Sequence, residues 1–154
     1  LIIIHSYYIL YIKMRIFFCL FILVFSKITM TTNAGELKIN VKNIVNNIGS
    51  IHYALYDDPS FFPDEQGKIN GGNKKVEDVI ANGILIKELN ESYYAVAIYH
   101  DENSNKKFDT FFSIPNEYYG FSNNAPVFFG PPKFEDAAVF VEQDNTTEIE
   151  IELR

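Results

Sequence analysis

The run Tyr93–His100, YYAVAIYH, constrains the fold of this chain more than any other stretch. Strand alternation would place Tyr94, Val96 and Ile98 on one face and Tyr93, Ala95, Ala97 and Tyr99 on the other. Neither face carries a charge. Such a strand is stable only when neighbours flank it and both its faces are covered, so it must be central.

The flanking sequence supplies those neighbours. From Glu36 to Ile44, Leu37, Ile39 and Val41 alternate with Lys38, Asn40 and Lys42, the pattern of a half-buried strand. Asn46-Asn47-Ile48-Gly49 has turn chemistry, and Ser50–Tyr56 follows with Ile51, Tyr53 and Leu55 on one face; the pair predicts a hairpin. Asp57 to Asn73 is rich in turn residues, with Phe61 and Phe62 as apolar anchors. Lys74–Leu89 admits two readings. Val76, Val79 and Ile80 have helical spacing with Gly83 as a cap, whereas Asn82-Gly83 before Ile84-Leu85-Ile86 is a hairpin signal; two strands are preferred. Asp136–Val141 and Thr147–Leu153 read as closing strands, the last with Glu148, Glu150 and Glu152 on a solvated face. Short strands without a convincing long helix predict an antiparallel β-sandwich, immunoglobulin-like or prealbumin-like, of about seven strands.

Residues 1–34 read as a signal peptide instead of structure. Met14 is the expected initiator, Arg15 supplies a positive charge, and the apolar run Ile16–Phe25 is shorter than the roughly 20 residues a membrane span needs. Thr32-Asn33-Ala34 fits a peptidase, so cleavage is expected after Ala34. The competing reading, an uncleaved anchor helix over residues 1–28, is interrupted by Lys13 and Arg15. Cys19, the single cysteine, follows Phe17 and Phe18 where a lipidation signal has small residues. The expectation is therefore one domain, 35–154, secreted or periplasmic, without a membrane span or disulfides. All 20 acidic residues but only 10 of the 13 basic ones follow residue 34, giving that part a net charge of about −10. That sign disfavours nucleic acid and anionic membrane surfaces. A monomer is expected, with an envelope protein or glycan as the conceivable partner.

The central strand runs into HDENSNKKFD. Asp101, Asn103, Asn105 and Asp109 occupy positions 1, 3, 5 and 9 of an oxygen-rich loop, and the Lys107 carbonyl would be position 7. Calcium takes six to eight oxygen ligands from alternate loop residues, so these five residues form a candidate calcium site. Lys106 stands where an EF-hand has Gly, and Phe112 where it has a bidentate Glu, which predicts modest affinity. The competing structure is a metal-free turn whose Asp and Asn side chains cap backbone N–H groups. Thr110 to Pro132 lacks a period but holds Phe111, Phe112, Tyr118, Tyr119, Phe121, Phe128 and Phe129, which could form a ligand platform or pack as a core. A hydrolase working through His100 and Glu117 ranks third. His52 reads as a satisfied or exposed strand residue. The leading expectation is a non-catalytic exported domain with a structural calcium loop; the alternative is a ligand- or carbohydrate-binding module using the aromatic segment 111–129.

YYAVAIYHDENSNKKFD, SIPNEYYGFSNNA and GPPKFEDAAV together resemble the bacterial domain-of-unknown-function family 2141. The resemblance spans essentially 35 to 154 and implies an exported β-sandwich with no established activity. The chain departs from the family pattern at Ser92, Lys106 and Ser113, each where members usually have Gly. A left-handed backbone at Lys106 would cost roughly 1 kcal/mol or more.

Overall fold

The computed structural model describes residues 34–112 and 114–154, together with Tyr11 and Lys13–Arg15. The chain divides into two units, Leu1–Thr32 and Asn33–Arg154. The expected signal peptide lies outside the described residues apart from Tyr11, Lys13–Arg15 and Ala34. Among the described residues no helix is long and apolar enough to cross a membrane.

The second unit is a β-sandwich. One sheet has the order β10 (Thr146–Glu152), β1 (Gly35–Lys42), β4 (Ile84–Leu89). The other runs β3 (Asn70–Lys75), β2 (Ser50–Tyr56), β5 (Ser92–Asp101), β8 (Tyr119–Phe121), and β9 (Val139–Val141) also pairs with β5. A small hairpin, β6 (Thr110–Phe111) and β7 (Ile114–Pro115), stands apart. Between the two main sheets lies one core. Leu37, Ile39, Ile84, Ile86 and Ile151 come from the first sheet and meet Ile51, Leu55, Val96 and Ile98 from the second. Burying each such side chain stabilises the fold by about 1.5–3 kcal/mol.

The strand β5 is central, as its two uncharged faces require. Tyr94, Val96 and Ile98 enter the main core. Ala95, on the other face, joins Tyr56, Phe121, Ala125, Phe134 and Ala137 in a second cluster outside the sheet. Strand β10 has the expected acidic outer face and is an edge strand. Its partner β1 runs parallel to it, an exception to the antiparallel pairing elsewhere, with Lys38–Glu148 at 3.4 Å and Lys42–Glu150 at 2.9 Å across the pair.

Two local expectations are corrected. β1 and β2 do not form a hairpin: β1 pairs with β10 and β4, and β2 with β3 and β5. Residues 43–49 carry the chain from one layer to the other, so the apolar faces of the two strands oppose each other across the core. The second correction is at 76–82, a helix, α1 (Val76–Asn82), and not a strand. Val76 and Val79 bury on one side, and Gly83 stops it at φ 68° with its N–H on the Val79 carbonyl, 2.8 Å. A Cβ at Gly83 would lie 2.6 Å from the Ile39 carbonyl oxygen, so the hairpin-like Asn82-Gly83 is a helix stop. The neighbouring strand begins earlier than expected, within Asn70–Lys75.

Strands β8 and β9 pair antiparallel with successive stretches of β5, Phe121–Tyr119 against Ala97–Tyr99 and Val141–Val139 against Ser92–Tyr94. Between them, residues 122–138 make an excursion that includes a short helix, α2 (Phe134–Ala137). Buried Ser122 closes its neck: Oγ accepts the Val96 N–H at 2.8 Å and donates to the Ala137 carbonyl. Asn123 Nδ2 donates to the Ala138 carbonyl at 2.7 Å.

Candidate functional site

Strand β5 ends at Asp101, whose side chain is fully buried. Its Oδ1 accepts the Asn105 N–H at 3.1 Å and its Oδ2 the Lys106 N–H at 2.9 Å. Asn103 Oδ1 accepts the Asn105 N–H at 2.9 Å, and Asn105 Oδ1 the Lys107 N–H at 2.8 Å. Both Asn side chains then donate to Asp109 Oδ2, at 2.6 and 2.8 Å. The Asp109 N–H goes to Glu117 Oε2 at 3.0 Å. Asp101, Asn103, Asn105 and Asp109 are thus drawn into one network, which Lys107 enters through its N–H. Their oxygens are directed largely at backbone donors, as Asx turns direct them. Among the described residues no three His, Cys, Asp or Glu side chains gather as a metal-binding group; Asn and carbonyl ligands fall outside that criterion.

Lys106 has φ 63°, the left-handed conformation that favours Gly. Its N–H on a buried carboxylate offsets that strain.

His100 and Glu117 lie beneath the loop. His100 is fully buried and donates from Nε2 to the Ile48 carbonyl at 2.7 Å. Nδ1 of His100 and Oε1 of Glu117 are buried without a partner. Burial pushes the Glu117 carboxyl above its ordinary range, against the pull of the Asp109 N–H. Neither residue lines the cleft described next.

The outer face of the five-stranded sheet carries a cleft of about 1220 Å³. Its floor follows from the strand register. One row across the sheet is Asn73, His52, Tyr99, Tyr119; the next is Gly71, Ala54, Ala97, Phe121. Ala54 and Ala97, two very small residues side by side, form a trough beside an aromatic ridge. Rings continue along it: His52 stacks on Tyr99 with centroids 4.7 Å apart, Tyr99 meets Phe108 at 5.4 Å, and Phe108 meets Tyr119 at 5.8 Å. The walls are loops: Pro63, Glu65 and Lys68 on one side, Lys106, Lys107 and Phe108 on another, and Phe128, Phe129 and Pro131 from the excursion.

Asp101 stands in the next row of this same face, with Oδ2 3.2 Å from His52 Nε2. Burial nevertheless lowers the His52 pKa, outweighing that carboxylate, and the charges of Lys106 and Lys68 add to the lowering. Burial, with Asp101 second, pushes the Tyr99 hydroxyl up to about 12.

The aromatic segment divides. Tyr119, Phe121, Phe128 and Phe129 line the cleft, whereas Phe111, Phe112 and Tyr118 do not. Phe111 and Phe112 pack edge-to-face on each other with centroids 4.7 Å apart, and both are exposed. Sequence reasoning missed His52, Ala54, Ala97, Lys68 and Lys106 as site residues. The available signal was the small, uncharged second face of the central strand.

Fold and site define a β-sandwich domain with an aromatic cleft on one sheet and an Asx-clamped loop at its rim. The chain belongs to the family described as uncharacterized protein conserved in bacteria (DUF2141), which it matches over residues 39–150. No curated protein and no solved structure matches it.

Proposed function

We propose that this chain is an exported, non-catalytic binding module that takes a small ligand into the cleft over the five-stranded sheet. The observation that carries this reading is a concave surface whose rings remain open to solvent. Phe108, Phe128 and Phe129 are 41%, 82% and 108% exposed, although core packing is the usual fate of such residues. Concave, mostly apolar surfaces with a few polar groups are the ordinary form of ligand sites. Export rests on residues 1–34, with Arg15, the apolar run Ile16–Phe25 and Thr32-Asn33-Ala34.

The test is titration of the purified chain with the neutral fluorophore N-phenyl-1-naphthylamine. Saturable binding is expected, and it should be lost in Ala54→Trp, which fills the trough. Binding that survives an equally stable A54W would refute the cleft as the site.

Calcium at the 101–109 loop is the second reading, favoured by the convergence of the Asn103 and Asn105 side chains on Asp109 Oδ2. Both Asp101 oxygens and the Oδ1 atoms of Asn103 and Asn105 accept backbone N–H groups, so a cation would draw first on Asp109 and the Lys107 carbonyl. Calcium at a hundred times its dissociation constant should stabilise the fold by about 2.7 kcal/mol. No melting shift and no terbium luminescence would rule it out.

A further inference from the structure

Resting on the cleft reading above, we infer that the ligand is a small anionic amphiphile: an apolar or aromatic body in the trough with a single acidic group held between Lys68, Lys106 and Lys107. The chain as a whole is acidic, with 20 carboxylates against 13 bases. The cleft reverses that balance, since three lysines and one carboxylate, Glu65, line it. Glu65 is already paired with Lys68. Among the described residues Lys106 and Lys107 have no carboxylate within ion-pairing distance, although acids are abundant on the surface.

The cations are positioned, not merely nearby. The Lys106 backbone is fixed by its N–H on buried Asp101 Oδ2, and Lys107 by its N–H on Asn105 Oδ1. The stem of Lys68 lies against Gly71, where a Cβ would stand 3.3 Å from Lys68 Cδ, and its ammonium is paired with Glu65 at the cleft wall. The fields of Lys68 and Lys106 both reach His52 on the floor. Asp101, whose carboxylate acts on His52 ahead of either lysine, is fully buried with its oxygens on two N–H groups, so apart from Glu65 the lysines are the charged groups a ligand in the cleft can touch. An anion between the three lysines would find positive charge from two sides with the aromatic ridge beside it. That combination is complementary to a carboxylate, sulfonate or phosphate joined to an apolar body.

A matched pair of fluorophores tests this. 8-Anilinonaphthalene-1-sulfonate is N-phenyl-1-naphthylamine with one added sulfonate. The full chain should bind the sulfonate about tenfold more tightly than the neutral compound, a difference of about 1.4 kcal/mol. The preference should shrink in salt and vanish in the variant K68Q/K106Q/K107Q. The readout in that variant is the ratio of the two affinities, with its fold checked by an unchanged urea midpoint; K38Q/K42Q, on the other sheet, should retain the preference. Equal affinities in the native chain, or a preference that persists without the three lysines, would overturn the anionic assignment and leave the cleft reading intact. Failure of both probes to bind would overturn the cleft reading, and the proposal with it.

Discussion

The Asp101 carboxylate accepts the Lys106 N–H at 2.9 Å and holds Lys106 at φ 63°. One buried charge therefore shapes the loop and sets a lysine at the rim of the cleft. Truncation in Asp101→Ala leaves the Lys106 N–H without its acceptor and the Asn105 N–H with Asn103 Oδ1 alone. Hydrogen bonds to charged groups contribute about 1.5–3 kcal/mol each, so D101A should lose roughly 3 kcal/mol or more in urea denaturation. Asp101→Asn retains one carbonyl oxygen and should lose about half as much. If D101A unfolds at the native urea midpoint, the clamp has no energetic role.

Lys106 itself is a local conflict, since a non-glycine residue in the left-handed region costs about 1–2 kcal/mol. Lys106→Gly removes that strain but adds freedom to the unfolded chain. The expected net result is a gain of about 0.5–1 kcal/mol, seen as a melting temperature raised by a few degrees. Because the same change removes a cleft cation, affinity for the sulfonated probe should fall while stability rises. A destabilised K106G would mean that the lysine side chain contributes more packing than the backbone strain costs.

The fold was legible where the pattern was local. Strict alternation in Leu37–Val41 and Glu148–Leu153, and the uncharged run Tyr93–His100, specify strands that the structure contains. Pairing was not legible. Nothing in Asn46–Gly49 says that the chain changes sheets there, and a short helix such as Val76–Asn82 has too few residues for periodicity to separate it from a strand. At the site, the oxygen spacing in 101–109 marked a real network, but alternate Asp and Asn residues suit a cation and an Asx ladder equally well. The cleft depended on register: Ala54 faces Ala97, and Gly71 faces Ala54, through pairings between strands far apart in sequence.

Ser122 joins the sheet to the wall of the cleft. Its hydroxyl occupies the break where β5 passes from pairing with β8 to pairing with β9, and it closes the 122–138 excursion that carries Phe128 and Phe129. Ser122→Ala leaves the buried Val96 N–H unpaired, which should cost about 1–3 kcal/mol. Hydrogen exchange should show Val96 losing protection, and the neutral probe should bind more weakly as the wall loosens. Native-like protection at Val96 would show that another acceptor replaces the hydroxyl.

Two buried groups set opposing pH dependences. The His52 pKa is lowered from 6.5, chiefly by burial, so the folded state resists its protonation. Its contribution is fully present above about 6.5 and is lost as pH falls through the lower, folded value. The Glu117 pKa is raised from 4.5, again chiefly by burial, so the folded state prefers the protonated acid. That contribution is fully present below about 4.5 and is lost as pH rises through the higher, folded value. Urea midpoints taken between about pH 4 and 8 should therefore separate the two groups by mutation. In His52→Gln the decline on acidification from 6.5 should flatten. Glu117→Gln keeps an oxygen for the Asp109 N–H and removes the buried charge, so it should be at least as stable as the native chain near neutrality and lose the decline on the alkaline side. An unchanged profile in H52Q would mean that the buried imidazole and its contact with Asp101 do not respond to protons in this range. An E117Q variant less stable than the native chain at neutral pH would mean that the ionised Glu117 carboxylate is itself a favourable part of the loop's support.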